Sequence, residues 1–418
     1  MNATQKTMLA LFVSGVRGQP PSGLDAALLP DVLALASKHN VLPVVFLSIK
    51  KLYAANELPL DAQVYDVLNQ LVLRTVLQSE SRLTAVHGVL RALEDAGISC
   101  CVLKGESYAH LYASPSSRIS SDVDILIHPS DEERALAVLR GLSMQISPRS
   151  NLSHHIRCTG NDTGLIELHT DLYEEFLDAV YFQNLVRQTE PVQSLRLDET
   201  TSIPILGIND GALFGTAHFI KHFLTFGAGI KQVMDLLLYL ANYRDKMDMA
   251  AYWDVLKALK YDRFMRTIMG IGVSYLHFSV KDFPEAEQNS SVEPLLDDIL
   301  EGGAFGVNQA ERSGFHNLYM QERYRTLCGG DYRIYLNRQR KKGAKKSLCL
   351  SRSALNAQYP FAARHPILLP AAWIAHTIQW TKKALKRLPT FLHTKKPLQK
   401  PNQAVQKRME LIKNLDML

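Results

Sequence analysis

Asp122-Val123-Asp124-Ile125-Leu126-Ile127 is the stretch on which the reading of this chain turns. Arg118-Ile119-Ser120-Ser121 leads into it, and Lys104-Gly105-Glu106-Ser107 lies upstream. Side chains alternate along a β-strand, so a strand here puts Asp122, Asp124 and Leu126 on one face and Val123, Ile125 and Ile127 on the other. Two carboxylates this close on one face repel each other and resist burial. A divalent cation removes that penalty, and hard Mg²⁺ takes oxygen ligands of this kind. The plainer alternative is a sheet edge whose two aspartates face water, where charged side chains normally sit.

Working outward, Ile98–Leu103 reads as a buried strand that exits at Lys104-Gly105. Ser107–Tyr112 follows as a helix, and Ala113–Ser121 as a Ser-rich loop with Pro115. After the Asp-x-Asp strand, Pro129-Ser130-Asp131-Glu132-Glu133 opens a helix with Ser130 as N-cap and acids in its first turn, ended by Gly141. His154–Cys158 and Leu165–His169 form an antiparallel pair across the Gly160–Gly164 turn, with Leu165, Glu167 and His169 on one face. The flanks read as helical. Upstream these are Pro30–Lys38, Val44–Tyr53 and a long helix from an Asp61 cap towards Leu93. Downstream, Asn209-Asp210 caps a helix carrying His218 and His222, Gly227-Ala228-Gly229 breaks it, and the next helix holds Lys231 and Asp235. The expected fold class is α+β: a small mixed sheet with helices, flanked by mainly helical regions. The expected division is a helical region over 1–96, an α/β core over 97–170, a helical substrate or nucleotide side over 171–330, and a basic region over 331–418.

Composition bounds the function. The 418 residues suffice for a large core and two or three domains. The five cysteines form no Cys-x-x-Cys pair, which fits a reducing compartment and argues against structural zinc. Met8–Val13 is too short for a signal peptide, and no run reaches the roughly 18–20 apolar residues of a spanning helix. The nearest, Pro366–Trp380, is interrupted by Pro370 and His376. A cytoplasmic location is expected. From Tyr332 onward, 19 Lys/Arg face only Glu410 and Asp416, so the tail carries +17 and the rest of the chain −11. Residues 366–387 combine Trp373, Ile374, Ile378 and Trp380 with Lys382, Lys383, Lys386 and Arg387. They can pack on the acidic body or lie peripherally on the inner face of a membrane as an interfacial helix. Nucleic acid ranks third among the partners of this tail.

Strand, Gly turn, short helix, loop, Asp-x-Asp strand and a later acid-bearing strand together resemble the polymerase-β-type nucleotidyltransferase core, with Gly105, Asp122, Asp124 and Glu167 at the matching positions. More narrowly, Leu103-Lys104-Gly105, Tyr112, Pro115, Arg118, the Asp122–Ile127 strand and Ile166-Glu167-Leu168-His169 resemble a group of bacterial nucleotidyltransferase family proteins. Members of that group often accompany surface-polysaccharide or peptide-modification genes. Ala36, His39-Asn40-Val41 and Pro43, and later His218, His222 and Asp235, extend the similarity over most of residues 30–240.

The chemistry fits that resemblance. Two metal ions about 3.5–4 Å apart can clamp the attacking and leaving oxygens of an in-line phosphoryl displacement. Asp122 and Asp124 can bridge such ions, and Glu167 can complete a metal shell or take the proton of an acceptor hydroxyl. The Gly105 turn lets phosphate approach backbone N–H groups at the start of the Ser107 helix. Lys104 and Arg118 would neutralise a triphosphate, and Ser107 or Ser121 could donate to it. The expected activity is Mg²⁺- (or Mn²⁺-) dependent transfer of a nucleoside monophosphate from an NTP, with ATP the first choice, to a hydroxyl acceptor that the sequence does not identify. Glu106 departs from the pattern, which has Gly or Ser there, and is expected to point away from the phosphates.

His218 and His222, at i and i+4, lack the glutamate of a His-Glu-x-x-His zinc motif and read first as core or hydrogen-bonding residues. His169 suits support of the metal ligands; His154-His155 is a weaker signal. His39 and His87 read as packing or surface residues. Two other functions stay open: an Asp-x-Asp glycosyltransferase, and a non-catalytic module that binds nucleotide or docks to a membrane. In the first, the acids normally end an apolar strand, whereas Ile125–Ile127 follows them here.

Overall fold

The computed structural model describes residues 1–21, 23–147, 155–172, 192–225, 227–288, 290–303, 314–329, 355, 358–393 and 401–418. His154 and the polybasic Arg338–Lys346 segment lie outside them. The chain divides into two compact units: Met1–His316 with Lys407–Leu418, and Asn317–Gln406.

The first unit opens on helices α1 (Ala3–Arg17), α2 (Leu29–Lys38), α3 (Leu42–Ala54) and α4 (Ala62–Asp95). Pro30 and Pro43 sit in the first turns of α2 and α3, where no amide hydrogen is missed. Asp61 caps α4 by accepting from the Gln63 and Val64 amides at 2.8 and 3.3 Å. His39, fully buried after α2, donates from Nε2 to the Leu300 carbonyl (3.1 Å) and accepts at Nδ1 from the Ile230 amide (3.4 Å). These two partners fix its neutral tautomer, and burial lowers its pKa to about 4.

A mixed sheet follows: β1 (Cys100–Val102), β2 (Asp122–Ile127), β3 (Gln145–Ile146), β4 (His155–Gly160), β5 (Gly164–His169), β6 (Gln193–Arg196) and β7 (Ser202–Ile205), in the order β3-β4-β5-β2-β1-β7-β6. β2 runs antiparallel to β1 and parallel to β5. The fold is α+β, as expected. β2 matches its expected bounds to the residue. The helix expected over Ser107–Tyr112 is a single turn, α5 (Glu106–Ala109). The cap expected at Ser130 is displaced: the His128 side chain accepts from the Ser130 amide and closes a 3₁₀ turn, and α6 (Glu132–Gly141) starts after it. Residues 193–205, read as part of a helical stretch, instead form the β6–β7 hairpin, whose inner strand pairs parallel to β1.

The sheet has two unlike faces. Val123, Ile125 and Ile127 join Ile156, Cys158, Ile166 and Leu168 in a core closed by Val86, Val89, Leu90 and Leu93 of α4 and by Leu139 of α6. The opposite face carries the charged residues and meets α7 (Ile208–Thr225) and α8 (Ile230–Tyr243). Asn209 and Asp210 fall inside the first turn of α7, and the Asn209 side chain accepts instead from the Asp248 amide. Gly215 of α7 is needed for close approach, because a Cβ there would collide with the Tyr108 hydroxyl of α5. The C-terminal Lys407–Leu418 segment belongs to this unit: buried Arg408 donates to the Phe223 carbonyl and lies 3.4 Å from Asp298.

In the second unit, Leu355, Tyr359, Ala362 and Ala372 form a small core. Its helix Leu369–His393 leaves Ile374 and Ile378 exposed. Among the described residues no helix is long and apolar enough to cross a membrane.

Candidate functional site

The parallel register of β2 and β5 sets Asp122 opposite Leu165 and Asp124 opposite Glu167. Period two does the rest: Asp122, Asp124, Glu167 and His169 share the face turned towards α7. One carboxylate oxygen from each of Asp122, Asp124 and Glu167 lies within 4.8 Å of the other two. Asp124, 2% exposed, is the deepest of the three; Asp122 and Glu167 are partly open.

Lys104, at the exit of β1, reaches into this cluster. Its Nζ is 3.0 Å from Asp124 Oδ2, in an ion pair short of an aligned hydrogen bond, and 3.8 Å from Asp122 Oδ2. It also lies 3.0 Å from His218 Nε2 of α7. On its other side Asp124 accepts from His169 Nε2 at 2.9 Å. Burial disfavours the Asp124 anion, but Lys104 and His169 outweigh it and hold the carboxyl well below the ordinary range. For Glu167, burial and the charges of Asp124 and Asp122 outweigh His169 and Lys104 and raise its pKa. The same face thus carries one carboxylate locked in the ionised form and one made more basic.

Lys104 and the exposed Arg157 guanidinium, 3.7 Å from Glu167, offset the three carboxylates only in part, and carboxylate oxygens are the donors that Mg²⁺ prefers. The residues present fit a divalent cation. Around them stands a rim of basic side chains from both flanks. On α7, His218, Lys221 and His222 follow one face at i, i+3 and i+4. Burial, with Lys104 nearby, lowers His218 well below its usual pKa, Lys221 to about 8 and His222 to about 3. Lys231 of α8 donates to the Ile119 carbonyl (2.8 Å), and burial and Arg118 bring its ammonium to about 7. Arg82 of α4 donates to the Ser120 carbonyl and feels the charges of Asp122 and Glu106.

The other expected site residues fall around this centre with differing roles. Gly105 takes φ 84°, a left-handed conformation that favours glycine, and opens α5. Ser107 is buried on α5. Ser121 Oγ donates to Asp122 Oδ1 at 3.1 Å. Arg118 is buried, and its guanidinium pairs with Asp235 through Nε (3.0 Å) and Nη2 (2.6 Å) while Nη1 donates to Ser120 Oγ (2.7 Å). Tyr112 donates to the same Asp235 carboxylate at 2.8 Å. The loop before β2 is therefore pinned to α8. Glu106, which departs from the expected pattern, is buried and takes His87 Nε2 of α4 at 2.9 Å; that hydrogen bond raises the His87 pKa.

Arg82, Lys221 and Lys231 were not anticipated. The i, i+3, i+4 run of His218, Lys221 and His222 was a readable signal; for Arg82, exposed-looking on a long amphipathic helix, the sequence held none.

The family of uncharacterised nucleotidyltransferases matches residues 26–276, more than half of the chain. The chain belongs to this family. The match spans β1 to β7, α7 and α8, so every residue of the carboxylate cluster and its basic rim falls inside it. No curated protein matches this nucleotidyltransferase. Among solved structures, the antibiotic-resistance factor ANT(2'')-Ia is similar over 45% of this chain and 95% of its own, at 11% identity and a TM-score of 0.33. An antigenic nucleotidyltransferase-like protein from Paracoccidioides brasiliensis covers 43% of this chain and 89% of its own, at 12% identity and a TM-score of 0.29. Likenesses this weak carry no argument about this chain. Family membership supports nucleotidyl transfer as the activity, with a nucleotide substrate and an acceptor.

Proposed function

We propose that this nucleotidyltransferase moves a nucleoside monophosphate from an NTP, with ATP the first candidate, to a hydroxyl acceptor and releases pyrophosphate. The observation that supports it most is the register of β2 and β5, which gathers three carboxylates under a basic rim. Asp122, Asp124 and Glu167 would hold Mg²⁺ or Mn²⁺. The bound cation supplies charge stabilisation for displacement at phosphorus.

The side chains divide the remaining work. Glu167, opposite Asp124, completes the metal shell or takes the proton of the acceptor hydroxyl. Asp124 stays ionised throughout because Lys104 and His169 hold it so. Lys104 balances the aspartates before a cation arrives and, with Lys221, Lys231 and Arg82, favours the anionic triphosphate thereafter. Gly105, with Ser107 and Ser121, shapes the approach of phosphate to the backbone. Arg118 acts as a positioning residue: its bidentate pair with Asp235 holds Ser120 and Ser121 beside Asp122.

The test is pyrophosphate release by the purified full chain with each NTP, Mg²⁺ and a metabolite extract as acceptor source. Release well above that of an Asp122→Ala/Asp124→Ala variant is expected. Equal release from the two proteins would overturn the catalytic reading.

A further inference from the structure

The face that carries the three carboxylates continues one strand further, and the donor chemistry changes there. In the antiparallel β4–β5 ladder His155 stands directly opposite His169. Directly paired residues point to the same side of a sheet, and Glu167 lies two positions before His169, so all three side chains share one face. His155 Nε2 is 3.5 Å from Glu167 Oε1, and the two imidazole rings are 5.3 Å apart between centroids. One ligand atom from each of His155, Glu167 and His169 falls within 4.8 Å of the others. The Arg157 guanidinium, on an exposed side chain, also approaches Glu167 Oε1, at 3.7 Å.

We infer that His155, Glu167 and His169 form a second cation site, selective for a borderline divalent metal such as Zn²⁺ or Cu²⁺ over Mg²⁺, which shares Glu167 with the Asp122–Asp124 pair. The all-oxygen set suits Mg²⁺ and Mn²⁺, whereas imidazole nitrogen suits Zn²⁺ and Cu²⁺. The His169 ring is already held by Asp124 Oδ1 at 2.9 Å, the carboxylate support that orients a metal-binding imidazole and raises its basicity. His155, on the neighbouring strand, brings its ring to Glu167 without crossing the Asp122 position. Arg157 leaves Glu167 at little cost, because its side chain is open to water. The inference stands on donor types and distances and does not require the transfer reaction.

The test uses the metal-stripped full chain, dialysed against Zn²⁺ or Cu²⁺ in a large excess of Mg²⁺. Bound metal is counted by mass spectrometry, and the Cu²⁺ form is examined by pulsed electron paramagnetic resonance for coupling to imidazole nitrogen. The wild type is expected to retain Zn²⁺ or Cu²⁺ and to show nitrogen coupling. His155→Ala should weaken retention by at least about tenfold and reduce the coupling, with its circular dichroism unchanged. Asp122→Ala should retain both signals. Absence of nitrogen coupling in the wild type, retention by His155→Ala equal to wild type, or loss of both signals in Asp122→Ala would each overturn the proposal.

Discussion

The two faces of β2 differ by one residue in register and by almost everything in chemistry. Val123, Ile125 and Ile127 are 2%, 0% and 2% exposed and share an apolar core with residues of α4, α6 and the adjacent strands. That face is complete on folding, since burial alone stabilises it. Asp122, Asp124 and the facing Glu167 turn the other way into a cluster whose charge is balanced only in part by Lys104. The first face holds the fold; the second is stable because the first is, and keeps a charge deficit that a cation and a polyphosphate can fill.

The sharpest way to break this comparison is to change each face in turn. The Asp122→Ala/Asp124→Ala pair should cost the activity roughly 10²–10³-fold or more, the scale on which removal of a principal electrostatic group acts. Pyrophosphate release checks it. Ile125→Ala should do the reverse, lowering stability by about 2–5 kcal/mol for a buried aliphatic side chain, with activity per folded molecule retained. Urea unfolding followed by circular dichroism, alongside the release assay, separates the two outcomes.

His39 tests the helical flank, at the start of α8. Its folded pKa of about 4 lies below the ordinary value of about 6.5, so the unfolded chain binds the proton more readily. Its contribution is full above pH 6.5 and is lost as the pH falls towards 4. The loss amounts to about 2 kcal/mol by pH 5. Unfolding free energies at pH 7.5 and 5 should therefore diverge less in His39→Gln than in the wild type. The smallest effect is expected at His87. His87→Gln keeps a donor for the buried Glu106 carboxylate, so stability should shift by less than about 1.5 kcal/mol, as the same denaturation curves would report.

Local signals carried much of the reading. The alternation along Asp122–Ile127, the Asp61 cap and Pro30 of α2 each act within a few residues, and each gave its element correctly, whereas Pro43, read as a break, lies in the first turn of α3. The features that escaped depend on distant partners. Gln193–Arg196 is short and polar, with no alternation to mark it; it is a strand because β7 beside it pairs with β1. Arg118 reads as a free cation until Asp235 of α8 is seen to hold it. Glu106 looked out of place beside a phosphate site, and its partner His87 lies on α4, on the other side of β1 in sequence. Charge and burial are properties of the assembled site, which residue spacing alone does not report.

The bond between Arg118 and Asp235 also bears on how the molecule is made. It joins positions separated by 117 residues, and the Lys104–His218 contact spans 114. A nascent chain that has emerged only as far as β5 owns the three carboxylates but neither the helix that steadies their loop nor the strand that covers β1. An unpaired strand edge of that kind invites association with other chains, and contacts of such long range slow folding. The carboxylate cluster therefore gains its supports only once Asp235 has been made, and a fragment cut after residue 170 should inherit the acids without α7, α8 and β7.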